Sequence, residues 1–371
     1  MENKEKLPWD LVGEILSRVP PTCLLRFKTV CKQWKALFND KTFINNHKMT
    51  FRFVLLSSGK IYSVSVNPKV EVRELTLNTP DLKSKVPQSL IATNGFLLCA
   101  KDKRAVVWNP WLRQIRYIHP ELNNPRLKFL AICYDNNRRV DDEIVYKTLS
   151  ISRKGFFFEE TTYATLLPSP SSSPIPREEM VRYNFTSVVS LNGTLYWVAF
   201  YDETHVTYPL SFIVINFTFS SENFSKFCDL PCGKNHLRDA LVLGVFREDR
   251  LSLFKQCYVT KKIEVWVTKN KVDDRYGMDV KWTSFMEVSV HTIPDLVKTE
   301  PYLQSQPSYF IDGKRLVICS CDETGQAWIY VVGENRLISK TKLDSMVECW
   351  PRHCTYFPSL VLIPGGKSED A

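Results

Sequence analysis

Apolar residues return along the chain in two rhythms, and the change between them near residue 50 divides it. From Leu7 to about residue 48 the spacing is three or four. Leu7, Leu11, Ile15 and Val19 step by four with Leu16 beside them, which predicts an amphipathic helix with one apolar stripe. Pro8 suits its first turn, where an N–H would have no partner inside the helix. Asp10 and Glu14 lie toward the positive end of the helix dipole and Arg18 toward the negative end, and Pro20-Pro21 stops it. Thr22 is expected to cap a second short helix through Leu24, Leu25 and Phe27, and Thr29 a third with Val30, Cys31, Trp34, Leu37 and Phe38. Phe43 and Ile44 add a further apolar pair. Roughly forty residues cannot cover so many large apolar side chains unaided, so the surplus must dock on the rest of the chain or on a partner.

Beyond about residue 51 the period falls to two. Tyr62, Val64 and Val66 alternate with Ser63 and Ser65, and Ile263, Val265 and Val267 with Glu264, Trp266 and Thr268. Hairpin dipeptides interrupt these runs at Asn94-Gly95, Asn192-Gly193 and Asp312-Gly313, with a similar turn lacking glycine at Glu248-Asp249-Arg250. Each is followed by a further apolar strand, around Val106, Ile213, Ile263 and Ala327. The recurrence, about 50 residues or twice that, suits a four-stranded propeller blade, and residues 51–365 hold roughly six such units. A large two-sheet fold is the alternative. In Trp108-Asn109-Pro110 the proline, which cannot donate to a ladder, marks a strand ended by a turn.

The segment Leu7-Pro8-x-Asp10-Leu11-x-x-Glu14-Ile15-Leu16-x-Arg18-Val19-Pro20, then Leu24-Leu25-Arg26-Phe27-x-x-Val30-Cys31-Lys32-x-Trp34, resembles the F-box. The resemblance implies docking on an S-phase-kinase-associated adaptor, which tethers such chains to a cullin scaffold and a RING-finger subunit of a ubiquitin ligase. Carried over by position, the adaptor-binding set is drawn from Leu7, Pro8, Leu11, Ile15, Leu16, Pro20, Leu24, Leu25, Val30, Cys31 and Trp34. Some of these hold the helices together and some meet the partner. The energy of contact is expected to concentrate in Leu11, Ile15 and Trp34.

Asn94-Gly95-x-Leu97-x-Cys99 and Val107-Trp108-Asn109-Pro110-x-x-Arg113-Gln114 are similar to the start of the F-box-associated interaction domain of plants. Tyr134-Asp135, Tyr146-Lys147, Asn192-Gly193-x-Leu195-Tyr196-Trp197 and Glu264-Val265-Trp266-Val267 continue it in order. Cys133 stands where that family usually has glycine, and Asn216-Phe217 departs from its Phe-Asp.

Composition narrows the remaining choices. The 371 residues include 22 Phe, 15 Tyr and 9 Trp but only 13 Gly, which excludes a wholly disordered or collagen-like chain. The N-terminus lacks the apolar run of a signal peptide and no stretch is long enough to span a membrane, so an intracellular protein of cytoplasm or nucleus, without a membrane partner, is expected. The 11 Cys are then read as reduced, and the sequons at Asn184, Asn192, Asn216 and Asn223 as by-products of turns and strands. No phosphate-binding loop, dinucleotide fingerprint, zinc-protease helix or nucleophile elbow occurs. Cys319, Cys321, Cys349, His353 and Cys354 could be imagined around zinc, but their spacings are not those of usual ligand pairs, so no metal, cofactor or catalytic residue is expected. The net charge of +9 is dispersed and interrupted by acids at Lys101-Asp102-Lys103-Arg104 and Arg138-Arg139, which argues against nucleic acid. Leu167-Pro168-Ser169-Pro170 through Pro174-Ile175-Pro176 reads as an extended loop whose Ser169 and Ser173 precede proline as phosphorylation candidates.

Taken with the resemblance, this implies a small all-α F-box at 1–48 and a large all-β recognition domain at 51–365, a degenerate propeller of about six blades. A disordered tail is expected at 366–371. The function implied is that of the non-catalytic substrate receptor of a cullin-RING ubiquitin ligase, binding an unknown target protein. An F-box chain acting in regulation without ubiquitin transfer, and a propeller enzyme or lectin, are the alternatives.

Overall fold

A computed structural model gives the architecture. It describes residues 7–77, 89–93, 95–101, 104–118, 128–140, 143–152, 155–161, 181–183, 188–201, 212–218, 223–233, 235–236, 238–247, 249–272, 280–289, 306–333, 336–344 and 346–368. The proline- and serine-rich segment, Ser169 and Ser173 included, lies outside these residues, as do Asn94, Asn184 and Glu248.

The N-terminal region folds as α1 (Trp9–Leu16), α2 (Pro21–Phe27), α3 (Lys32–Asn39) and α4 (Lys41–Asn46). Two expected caps are corrected. Pro20, in extended conformation, precedes α2 and Pro21 opens it, so Thr22 is already inside the helix, where no side-chain cap forms. The cap of α3 is Cys31, whose Sγ accepts from the Trp34 N–H at 3.5 Å, while the Thr29 hydroxyl instead donates back to the Arg26 carbonyl. Asp40 caps α4 through Thr42 N–H, 2.7 Å away. The single stripe on α1 is also corrected. Val12, Leu16 and Val19 turn toward the core, whereas Leu7, Leu11 and Ile15 face outward.

The strands follow in chain order: β1 (Phe53–Ser57), β2 (Lys60–Ser65), β3 (Glu71–Leu75), β4 (Ser89–Thr93), β5 (Phe96–Lys101), β6 (Arg104–Asn109), β7 (Gln114–Ile118), β8 (Lys128–Val140), β9 (Glu143–Ser152), β10 (Gly155–Thr161), β11 (Val181–Tyr183), β12 (Val189–Leu191), β13 (Thr194–Tyr201), β14 (Phe212–Thr218), β15 (Asn223–Asp229), β16 (Ala240–Phe246), β17 (Arg250–Gln256), β18 (Ile263–Thr268), β19 (Trp282–Val288), β20 (Ser308–Asp312), β21 (Arg315–Cys321), β22 (Ala327–Gly333), β23 (Arg336–Lys342), β24 (Arg352–Thr355) and β25 (Lys367–Ser368). Among the described residues they form six antiparallel sheets. In ring order these blades are β24-β1-β2-β3, then β4 to β7 with β25 added, β8 to β10, β11 to β15, β16 to β19 and β20 to β23.

Contacts between blades run from β24 to β4, β4 to β8, β8 to β13, β13 to β16, β16 to β20 and β20 back to β24, so the ring is closed. The anticipated hairpins appear where their residues are described. Asn192 and Gly193, at φ +50° and +83°, make the two-residue turn between β12 and β13, the left-handed pair whose twist matches that of the strands. The sequon residue Asn216 is buried within β14, beside Ser225 of β15, as a strand residue.

Ring closure uses the C-terminal chain twice. Its β24 pairs with β1 as the inner strand of the first blade, and β25 then pairs with β7 at the outer edge of the second. Lys367–Ser368 is therefore strand where a disordered tail was expected at 366–371, and 369–371 lie outside the described residues. Between these strands the crossing chain is pinned. Asn109, fully buried, donates its amide to the Ser359 and Val361 carbonyls at 3.1 and 3.0 Å, and its Oδ1 accepts from the Trp111 and Leu112 N–H groups at 3.1 Å each. The Tyr356 hydroxyl donates to the Gly95 carbonyl at 2.8 Å, and Arg116 to that of Pro364 at 2.6 Å.

Candidate functional site

The helices do not float beside the ring. Leu16, Leu24, Phe38, Phe43, Ile44 and Phe51 share one buried core with Val54, Trp108, Trp111, Leu112, Tyr356 and Leu360 of the first two blades and the crossing chain. His47 is the joint. Its Nδ1 accepts from the Met49 N–H at 3.2 Å, which leaves Nε2–H to donate to the Val19 carbonyl at 3.0 Å, so both nitrogens are satisfied by one neutral tautomer. Its ring stands edge-on to Trp111 at 5.2 Å, and the Trp111 indole N–H donates to the Met49 carbonyl at 3.3 Å. Burial holds the imidazole pKa below its ordinary value, against the opposing pull of the Val19 and Leu16 carbonyls.

With one side of the helical unit consumed in this core, its other side is exposed and apolar. Leu7, Leu11, Ile15 and Val30 are 52, 50, 53 and 60% exposed, whereas Leu16 and Leu24 are 3 and 0% exposed. The structure thereby separates the eleven sequence candidates. Leu7, Pro8, Leu11, Ile15, Pro20, Val30 and Cys31 lie on the surface; Leu16 and Leu24 are core; Leu25 and Trp34 are partly buried against that core. Trp34 packs edge-on to Phe27 at 5.5 Å and Phe38 at 6.2 Å, which makes it part of the support beneath the exposed face. Trp9, exposed and two residues from Leu11 at the start of α1, joins the outer set. Sequence reasoning missed it because it falls off the four-residue stripe, and the available signal was a tryptophan in a first helical turn whose neighbours one turn on are only the small residues Val12 and Gly13. Glu14 lies on the same helix, accepting from Arg18 at 2.7 Å with Lys48 3.7 Å away, and these two cations hold its carboxyl below the ordinary range.

The other end of the ring is set by strand direction. β24 runs toward the helices, since its end leads into Tyr356 and Leu360 of the shared core. Inner strands of a closed up-and-down meander share one sense, so the described links between blades and those joining second to third strands emerge opposite the helices. These include residues 230–233, 235–236, 238–239, 257–262, 322–326, 343–344 and 346–351, whereas the helix side carries tight turns such as 192–193 and 313–314.

The cysteines considered as metal ligands are dispersed. Cys319 and Cys321 are buried among Phe53, Leu55, Ala327 and Ile329, Cys349 is exposed, and His353 Nδ1 lies 2.8 Å from the Ser308 hydroxyl. Among the described residues no group of three or more His, Cys, Asp or Glu is placed to hold a metal ion. Burial pushes the thiol of Cys99 up to about 12 and that of Cys319 well above its ordinary value, the opposite of what a nucleophile needs. Nor is any described helix long and apolar enough to cross a membrane.

Comparison with known proteins agrees with both halves. A family model described as the F-box domain matches residues 5–46, and one described as the F-box associated beta propeller domain matches residues 51–363. A putative F-box/kelch-repeat protein of Arabidopsis thaliana is 61% identical, the match covering 100% of this chain and 89% of the relative. A second F-box/kelch-repeat protein of the same plant is 50% identical over 98% of this chain and 95% of its own length. Protein SUPPRESSOR OF NIM1 1, also from Arabidopsis thaliana, is 37% identical over 96% of this chain and 98% of its own.

Proposed function

The chain belongs to the family of F-box proteins that carry an F-box associated β-propeller, and from that premise we propose that it is the substrate-recognition subunit of an intracellular cullin-RING ubiquitin ligase. The helical face formed by Leu7, Trp9, Leu11, Ile15 and Val30, with Pro8, Pro20 and Cys31 at its margin, is the docking surface for an S-phase-kinase-associated adaptor. Through the adaptor the chain joins the cullin scaffold and RING subunit. The observation that carries this reading is the division of one small helical unit into a side sunk in the ring core and a side with half-exposed large apolar residues. Such a side is stable in water only at a cost, and a partner helix removes it.

The target protein binds the face of the ring opposite the helices. The chemistry needed from this chain is positional: a target lysine and a charged conjugating enzyme are held on one assembly, which raises their effective concentration. The His47–Trp111 joint serves that mechanism by fixing the docking face relative to the ring. No side chain of the receptor need touch the reacting bond, so the chain itself is not an enzyme in this reading.

Affinity capture of the tagged chain from plant cells under proteasome inhibition, analysed by mass spectrometry, tests it. Recovery of adaptor, cullin and ubiquitin-modified proteins is expected, with all three lost when Leu11 and Ile15 carry charges. Recovery of the adaptor without the cullin would replace the ligase role by a regulatory one.

A further inference from the structure

The fifth blade carries, on the face away from the helices, a cationic and aromatic cluster built by two loops. The described residues between β15 and β16 supply His236 and Arg238, and the link 257–262 supplies Tyr258 and Lys261. Asp239, buried, ties them together: one carboxylate oxygen accepts from the His236 N–H at 2.8 Å and the other from the Tyr258 N–H at 2.8 Å. The buried Lys255 ammonium lies 3.8 Å from the same carboxylate. This acid is thus engaged inside the scaffold, beneath the surface that the cations occupy.

On that scaffold everything converges on one ring. His236 stacks on Tyr258 with centroids 5.6 Å apart and planes 14° from parallel. The Arg238 guanidinium lies 5.1 Å from the ring centre and donates to the Tyr258 hydroxyl at 2.8 Å, and the Lys261 ammonium lies 4.5 Å from the ring centre. Lys261 is held there by backbone at φ +59°, a left-handed conformation that favours glycine or asparagine over lysine. Its N–H donates to the Cys257 carbonyl at 2.8 Å and the Cys257 N–H to that of Lys262 at 2.9 Å, which locks the turn. The two cations gathered on one tyrosine raise the local potential, so an anion placed between them interacts with both at short range. Lys262, the next residue, is turned away into a different set of contacts, with Glu264 and Glu287 at 3.3 and 2.8 Å.

We propose that Arg238, Tyr258 and Lys261 form an anion-reading contact on the target face, recognising a protein segment that presents carboxylate or phosphate groups. The exposed Arg238 guanidinium supplies a planar fork suited to either anion, Lys261 supplies a point charge, and the Tyr258 ring fixes both. This deepens the receptor reading and rests on it, since it names the chemistry by which the ring would select a target.

The test uses the full chain in complex with its adaptor and three fluorescein-labelled probe peptides of one length, rich in glutamate, in phosphoserine, or in glutamine. Fluorescence anisotropy should show the two anionic probes binding about tenfold or more tightly than the glutamine probe, with affinity falling as salt rises. Their relative order tells whether carboxylate or phosphate is the better ligand. Arg238→Glu should remove that preference. Lys261→Asn, which suits the left-handed backbone and so keeps the fold, should reduce it. Equal binding of all three probes, an unchanged preference in both variants, or tighter binding of an oligouridylate RNA than of either anionic peptide would overturn the proposal. Adaptor capture by the same variants separates the outcomes: retained adaptor and retained targets with no anion preference sinks this contact alone, whereas loss of targets from the wild-type chain sinks the receptor reading.

Discussion

Replacing Asn109 probes how the ring is closed. Its carboxamide is fully buried and makes four hydrogen bonds, two that shape the turn after β6 and two that join it to a stretch of chain some 250 residues later. At roughly 0.5–1.5 kcal/mol for each neutral bond, Asn109→Ala should cost about 2–6 kcal/mol. The higher part of that range is expected, because the Trp111 and Leu112 N–H groups would be left buried without an acceptor. Asn109→Asp is the sharper perturbation. It keeps shape and both accepted bonds, but exchanges the two donated ones for a carboxylate oxygen facing the Ser359 and Val361 carbonyls. A buried charge against two carbonyls costs at least as much as the deletion, so the near-isosteric change should be no milder than alanine. Urea unfolding followed by tryptophan fluorescence at pH 8 measures both, and limited proteolysis should find the chain after Thr355 newly cleavable. An Asn109→Asp variant within about 1 kcal/mol of wild type would refute the clasp.

Two further predictions concern the joint and the closing turn. His47 is neutral in the fold with a pKa below the unfolded value, so the unfolded chain binds the extra proton; stability should be level above the ordinary imidazole range, about pH 6.5, and fall as pH drops below it. Urea midpoints across about pH 5–8 should show that loss in the wild type and a shallower one in His47→Gln, and identical slopes in the two would remove His47 as the cause. Gly95, at φ +81°, would drive an added Cβ into that of Ser359, so Gly95→Ala should destabilise by about 2–4 kcal/mol, from overpacking and left-handed strain together. Ser359→Gly in the same chain should restore part of that loss, and strictly additive effects in the thermal melts would show the close approach to be without consequence.

How much of this is legible in the sequence depends on the range of each interaction. The hairpin at Asn192-Gly193 and the alternation of Ile263, Val265 and Val267 are local, and the strands form where those patterns lie. The stripe on α1 reads as one face because its residues repeat every four positions, yet Val12, Leu16 and Val19 take the core. Periodicity marks an apolar face without saying whether its partner is in the same chain, and α1 has two such faces. Trp34 has the look of a surface anchor in the motif, but Phe27 of α2 and Phe38 one turn on in α3 enclose it. Asn109 reads as a turn residue, since its partners at Ser359 and Val361 meet it only when the ring closes. The tail beyond 365 is short and polar; β25 exists because β7 offers an open edge. The cluster around Tyr258 has no linear signature, because a buried aspartate assembles it from two loops.

Affinity for the purified adaptor tests most directly whether the exposed side of the helices is a docking face. Leu11→Glu with Ile15→Lys places charges on residues that are half exposed, so the shared core should remain intact and circular dichroism and the thermal midpoint should match the wild type. Titration calorimetry is then expected to show adaptor binding weakened by at least about a hundredfold, the scale of two lost apolar anchors. An unchanged dissociation constant in a chain that is still folded would contradict the account.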